Sequence, residues 1–114
     1  MKLGIYGDGV VTLTNGNNLY SGGTYLYNGT LNFDLLSLGT VGVIDFMGDA
    51  TLQWDLGNPQ DISSRMKIED GITATLDVQN NDVVFASALQ VGALGTGGLT
   101  KKGDGALTFS AVNT

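Results

Sequence analysis

The stretch Leu99-Thr-Lys-Lys-Gly-Asp-Gly-Ala-Leu-Thr-Phe-Ser-Ala-Val-Asn-Thr114 lies without a gap on Leu3-Gly-Ile-Tyr-Gly-Asp-Gly-Val-Val-Thr-Leu-Thr-Asn-Gly-Asn-Asn18. Leu3, Gly7, Asp8, Gly9, Thr12 and Asn17 return as Leu99, Gly103, Asp104, Gly105, Thr108 and Asn113, a constant offset of 96 positions from Leu3 to Leu99. Val11/Leu107, Leu13/Phe109 and Thr14/Ser110 keep their chemical type. A turn followed by an alternating strand, recurring at a fixed distance, marks a repeat architecture. The second copy stops where the first continues to Tyr20-Ser-Gly-Gly-Thr24. The chain therefore reads as a piece of something longer, or as a unit continued by a neighbour.

Outward from these ends, period-two alternation dominates. Leu31/Phe33, Ile44/Phe46, Leu52/Trp54, Met66/Ile68, Ile72/Ala74/Leu76/Val78 and Val83/Phe85 each place apolar side chains on one face of a strand. Gly-Asp-Gly, Ser-Gly-Gly, Met-Gly-Asp and Glu-Asp-Gly clusters separate them, supplying positive φ and side-chain-to-backbone turns. The pattern predicts an all-β protein. Only Pro59-Gln-Asp-Ile-Ser-Ser-Arg65 offers a helical turn.

Two all-β architectures compete. Asn15-Gly16 and Asn28-Gly29 suit the tight turns of an antiparallel sandwich or barrel. In a solenoid, by contrast, each strand pairs in parallel with its equivalent one coil on. A solenoid returns to the same environment each turn, and the repeated ends favour it. The expectation is a right-handed parallel β-helix of roughly three to five coils: a single module over 1–114, with repeat-like segments 3–31 and 98–114 and intervening coils over 32–97. Val11, Leu13, Leu31, Leu52, Leu76, Leu107 and Phe109 are the expected inner stack. Gly7, Gly9, Gly22, Gly23, Gly103 and Gly105 are the expected turn glycines.

Composition narrows the function. Of 114 residues, 18 are Gly and one is Pro, cysteine is absent, and the net charge is −6. An acidic chain whose only basic pair is Lys101-Lys102 lacks the cations that displace counterions from nucleic acid or dock on anionic lipid. No apolar run approaches the ~18 residues of a membrane helix, so membrane insertion is not expected. The first residues are too short for a signal peptide, so an exported protein would rely on a signal outside this chain.

At this point the residues resemble a known family. Gly98-Leu-Thr-Lys-Lys-Gly-Asp-Gly-Ala-Leu-Thr-Phe-Ser-Ala-Val-Asn-Thr114 is similar to the opening of the autotransporter-associated β-strand repeat, also called the passenger-associated transport repeat. Val10-Val-Thr-Leu-Thr14 and Asn17-Asn-Leu-Tyr-Ser-Gly-Gly-Thr24, followed by Tyr27-Asn-Gly-Thr-Leu31, resemble the same element carried to its end. Gly48-Asp-Ala-Thr-Leu-Gln-Trp54, Asp61-Ile-Ser-Ser-Arg65 and Asp82-Val-Val-Phe-Ala-Ser87 resemble segments between such repeats. The resemblance implies a β-helical passenger of a Gram-negative surface or secreted protein, with a role in crossing the outer membrane and folding outside. It implies no catalytic residue. Leu3-Gly-Ile-Tyr6 departs from the family's pattern, and no translocator barrel is present in the chain.

Gly7/Gly9 and Gly103/Gly105 lack the third glycine and following helix of a phosphate loop. Asp8, Asp49, Asp70 and Asp104 sit in glycine-rich turns and would suit calcium, but without EF-hand or nonapeptide spacing they read as turn-capping residues. Arg65 near Asp61, and Lys67 near Glu69-Asp70, form the one crowded polar region. With no histidine available as a general base, no enzyme is expected, and neither cofactor nor metal is assigned. Tyr25 and Tyr27 flank Leu26 on one strand face and, with Tyr20 and Trp54, are the candidate glycan-contact aromatics. Asn28-Gly29-Thr30 is a formal glycosylation sequon read here as a turn. The expected partners are neighbouring coils of the same or identical chains, including a head-to-tail homo-oligomer, with a glycan as the alternative ligand.

Overall fold

The computed structural model describes residues 3–14, 22–35, 37–39, 41–92 and 94–110. Among them lie twelve strands: β1 Leu3–Ile5, β2 Val10–Leu13, β3 Thr24–Leu26, β4 Thr30–Phe33, β5 Ile44–Phe46, β6 Thr51–Trp54, β7 Met66–Ile68, β8 Thr73–Asp77, β9 Val83–Phe85, β10 Gln90–Val91, β11 Gly98–Lys102 and β12 Leu107–Phe109. A single 3-10 turn, Ser63–Arg65, sits inside the segment expected to hold a helical turn. Strands β1-β3-β5-β7-β10 form sheet 1, β2-β4-β6-β8-β11 form sheet 2, and β9 pairs with β12 in sheet 3. All the pairings are parallel. The result is a β-solenoid of about four turns.

Period-two sequence becomes a core because two sheets face one another. Leu31, Leu52 and Leu76 stack in register down sheet 2 and are fully buried. Leu26, Phe46 and Ile68 do the same in sheet 1, with exposures of 4% or less. Phe33, Trp54, Phe85 and Phe109 continue one another as an internal aromatic run, with centroids 5.0, 6.0 and 5.7 Å apart. Burying each such side chain removes apolar area from water at about 1.5–3 kcal/mol. The Trp54 indole N–H donates to the Gln60 carbonyl at 2.9 Å, so the one polar atom of that ring is satisfied. Trp54 is therefore core, not the sugar platform considered from the sequence.

Three expectations change. Val11 and Phe109 occupy inward columns, opposite Leu31 and Phe85, but remain 38% and 40% exposed. Leu13 and Leu107 are only partly buried. These four lie on the first and last rungs, where a neighbouring strand covers one side only. The Asn28-Gly29 turn is not a hairpin: it carries the chain from β3 in sheet 1 to β4 in sheet 2. Asn15-Gly16 lies outside the described residues.

The third change concerns the repeated ends. Leu3 opens β1 in sheet 1, whereas Leu99 lies on β11 in sheet 2. Likewise Val10–Leu13 belongs to sheet 2 and Leu107–Phe109 to sheet 3. Vertical neighbours are 21 residues apart between Asn32 and Gln53, 24 between Gln53 and Asp77, and 25 between Gly71 and Thr96. Four coils along sheet 2, from Val11 through Leu31, Leu52 and Leu76 to Lys101, span 90 residues, so an offset of 96 carries the repeated motif past four full turns and onto the next face. The two copies are alike in sequence and different in position.

Candidate functional site

Corners are where the coils are fastened. The Thr73 amide donates to Asp49 Oδ1 at 2.8 Å, Leu94 to Asp70 Oδ2 at 3.0 Å, Ala86 to Asp61 Oδ2 at 3.0 Å and Ala106 to Asp82 Oδ1 at 3.0 Å. In each case a carboxylate on one coil accepts an amide from the next. Asn58 Nδ2 donates to Phe33 O and Asn81 Nδ2 to Asp55 O, while Asn81 Oδ1 accepts from the Gly57 amide. Asp49 and Asp70, two of the four aspartates expected to cap turns, thus satisfy backbone donors, but across coils rather than within the turn. Among the described residues no three His, Cys, Asp or Glu side chains converge on a metal position.

The crowded polar region separates into two devices. Arg65 does not meet Asp61. Its guanidinium donates to Leu38 O (2.8 Å), Gly39 O (3.1 Å), Val41 O (2.9 Å) and Gly42 O (2.8 Å), one coil earlier. Burial pulls its pKa down from the ordinary arginine value. Asp61 accepts from the Ser63 hydroxyl (2.6 Å) and amide (2.8 Å) as well as from Ala86. Burial raises its pKa, but these hydrogen bonds outweigh that and hold it below the usual carboxylate range.

The turn glycines lie in the corners: Gly7 and Gly9 between β1 and β2, Gly22 and Gly23 ahead of β3, and Gly103 and Gly105 between β11 and β12. A Cβ on Gly105 would fall on the Asn81 carbonyl, and one on Gly48 on that of Tyr27. At these corners consecutive coils approach as closely as backbone allows.

Sheet 1 presents the second polar cluster. Parallel register sets Gly4, Tyr25, Asp45, Lys67 and Gln90 in one outward column. Beside it, just past the strand ends, run Tyr6, Tyr27, Met47 and Glu69, tied by amide bonds from Tyr27, Met47 and Glu69 to Ile5, Leu26 and Phe46 carbonyls. Tyr6 and Tyr27 stack at 4.4 Å with an interplanar angle of 8°. A hydrogen bond to the Tyr27 side chain raises the Tyr6 pKa. The Tyr25 hydroxyl donates instead to Gly22 O at 3.3 Å. The aromatic pair on this face is therefore Tyr6 with Tyr27, not Tyr25 with Tyr27. Tyr6 was missed because nothing local in the sequence places it over a residue one coil away. Tyr20 lies outside the described residues.

These features define a class: a parallel β-solenoid whose polar groups clip coil to coil. Among known proteins, the chain is 35% identical over 117 residues to the adhesin BmaC autotransporter of Brucella suis biovar 1 (strain 1330). The match takes in 95% of this chain and 3% of that protein, so the chain spans a small fraction of its relative's length. No protein-family model matches the chain, and no solved structure matches it. The fold and this relative together support a passenger- or adhesin-like structural module.

Proposed function

We propose that this chain is a stretch of autotransporter passenger of the passenger-associated transport repeat type, whose coils fold one upon another outside the outer membrane and so favour outward movement of the chain. One observation carries this reading: the carboxylates of Asp49, Asp61, Asp70 and Asp82 each bind an amide of the following coil. A coil lacks partners for these groups until its neighbour is in place, so stability belongs to the stack rather than to the single turn. The test is surface display of a passenger that includes this stretch, with and without Gly48→Val. Loss of surface display alongside loss of protease resistance is expected; full display of a stretch left protease-sensitive would overturn the reading.

The stacked Tyr6–Tyr27 pair favours a second role, contact with a glycan, since a flat aromatic surface covers the C–H face of a sugar ring. Tyr6 is 69% exposed. A glycan array probed with the 114-residue chain should give signals that Tyr6→Ala with Tyr27→Ala abolishes. Absent or unchanged signals would remove this role.

A further inference from the structure

Asp45 is an outward-facing residue of a solvated sheet, yet it is only 6% exposed, and its Oδ1 is buried without a hydrogen-bond partner. An ionised carboxylate with a stranded oxygen is costly. Its neighbours explain how the cost is avoided. From β3 it faces Tyr25, and from β7 it faces Lys67 in direct register. Lys67 turns to Glu69, with Nζ 3.3 Å from Oε2. Glu69, two residues past Lys67, brings its carboxyl group close to that of Asp45. Two neighbouring carboxylates repel when both are ionised, and a proton kept on one of them replaces that repulsion by a hydrogen bond. Lys67 favours charge on Glu69, so the proton resides on Asp45.

We infer that Asp45, Glu69 and Lys67 form a proton-dependent latch joining the coil of β5 to the coil of β7 on the outside of sheet 1, closed while Asp45 is protonated and opened by its ionisation. Burial, the hydrogen bond to Glu69 and the Glu69 charge raise the Asp45 pKa to about 7, against an opposing pull from Lys67. Glu69 is held below its ordinary value, first by the bond from Asp45. When Asp45 ionises, two negative charges meet across one rung with one ammonium between them, and the shared hydrogen bond is lost. This inference does not depend on the transport role and stands or falls separately from it.

The sign follows from linkage. Between the unfolded value of 3.8 and about 7, the folded chain holds a proton that the unfolded chain has released. Stability therefore falls as pH rises through that window, by up to about tenfold in the folding constant per pH unit, and levels off above it. Glu69 acts oppositely and only below its ordinary value of 4.5, leaving the range from about pH 5 to 7 to Asp45.

The experiment is urea unfolding of the 114-residue chain across that range, with carboxyl carbon-13 titration of the folded state. The folding constant should fall as pH rises, the Asp45 resonance should titrate near neutrality, and Asp45→Asn should flatten the stability profile while remaining folded. Glu69→Gln should lower the pH at which Asp45 titrates. An Asp45 resonance titrating in the ordinary carboxylate range, or an unchanged slope in Asp45→Asn, overturns the latch. Should Asp45→Asn fail to fold, the titration of the unaltered chain decides alone.

Discussion

Lys101 pairs in register with Leu76, so an ammonium-bearing side chain takes the place in the inward column that Leu31, Leu52 and Leu76 fill above it. On this rung Lys101 is exposed, and its Nζ donates to Gly103 O at 2.7 Å. A second copy stacked in the same register would lay its Val11, the first-rung member of that column, over the ammonium. Burying an unpaired ammonium costs several kcal/mol. The 114-residue chain is therefore expected to sediment as a monomer, and Lys101→Leu to shift it to larger species. Head-to-tail filaments of the unaltered chain, visible by electron microscopy, would show the opposite.

Arg65 fastens a segment whose described residues, from Leu38 to Gly42, form no strand. Its bonds reach four carbonyls between Leu38 and Gly42, a fan that a planar fork can make and a single ammonium cannot. Arg65→Ala should destabilise the chain by about 2–4 kcal/mol, since charge-assisted bonds to half-buried carbonyls are lost together. Arg65→Lys should recover less than half of that. Urea midpoints of the three chains check it, and full recovery by lysine would mean that charge alone suffices.

How far the fold was legible follows from the same residues. Leu31, Leu52 and Leu76 were readable as a stack because period two depends on the strand alone. The exposure of Val11 and Phe109 was not, because it depends on what lies one coil beyond. The matched ends suggested a solenoid correctly, yet Leu3 and Leu99 fall on different sheets because four coils take fewer than the 96 residues that separate them. Asp49 and Asp70 were legible as backbone-capping residues, but their partners, Thr73 and Leu94, stand 24 residues away. Arg65 and Asp61 looked like a pair by proximity in sequence. Folding points them to different coils.

Gly48 and Gly57 separate two reasons for glycine. Gly57 has φ +82° in open space, so Gly57→Ala carries only the conformational penalty, about 1 kcal/mol. At Gly48 the added methyl meets the Tyr27 backbone carbonyl of the preceding coil, which cannot rotate away. Gly48→Ala should therefore cost more than about 2 kcal/mol, through separation of the two coils. Thermal unfolding of both variants provides the comparison, and equal losses would remove close coil approach as the cause.

Asp61 closes an edge that backbone alone leaves open. Strand β9 begins sheet 3, and the amides that follow it, Ala86 and Ser87, find Asp61 Oδ2 and Ser63 Oγ in place of a further strand. Because the hydrogen bonds to Asp61 hold its pKa below the ordinary 3.8, the folded chain binds fewer protons here than the unfolded one near that pH. The contribution is complete above the ordinary carboxylate range and is lost as pH falls through the folded value. Asp61→Asn keeps an acceptor oxygen but removes the charge, so it should lower stability at neutral pH while losing less than the unaltered chain on acidification. Amide exchange at Ala86 gives the local reading: it should quicken in Asp61→Asn at neutral pH. Exchange unchanged by the substitution would mean that this edge is held by Ser63 alone.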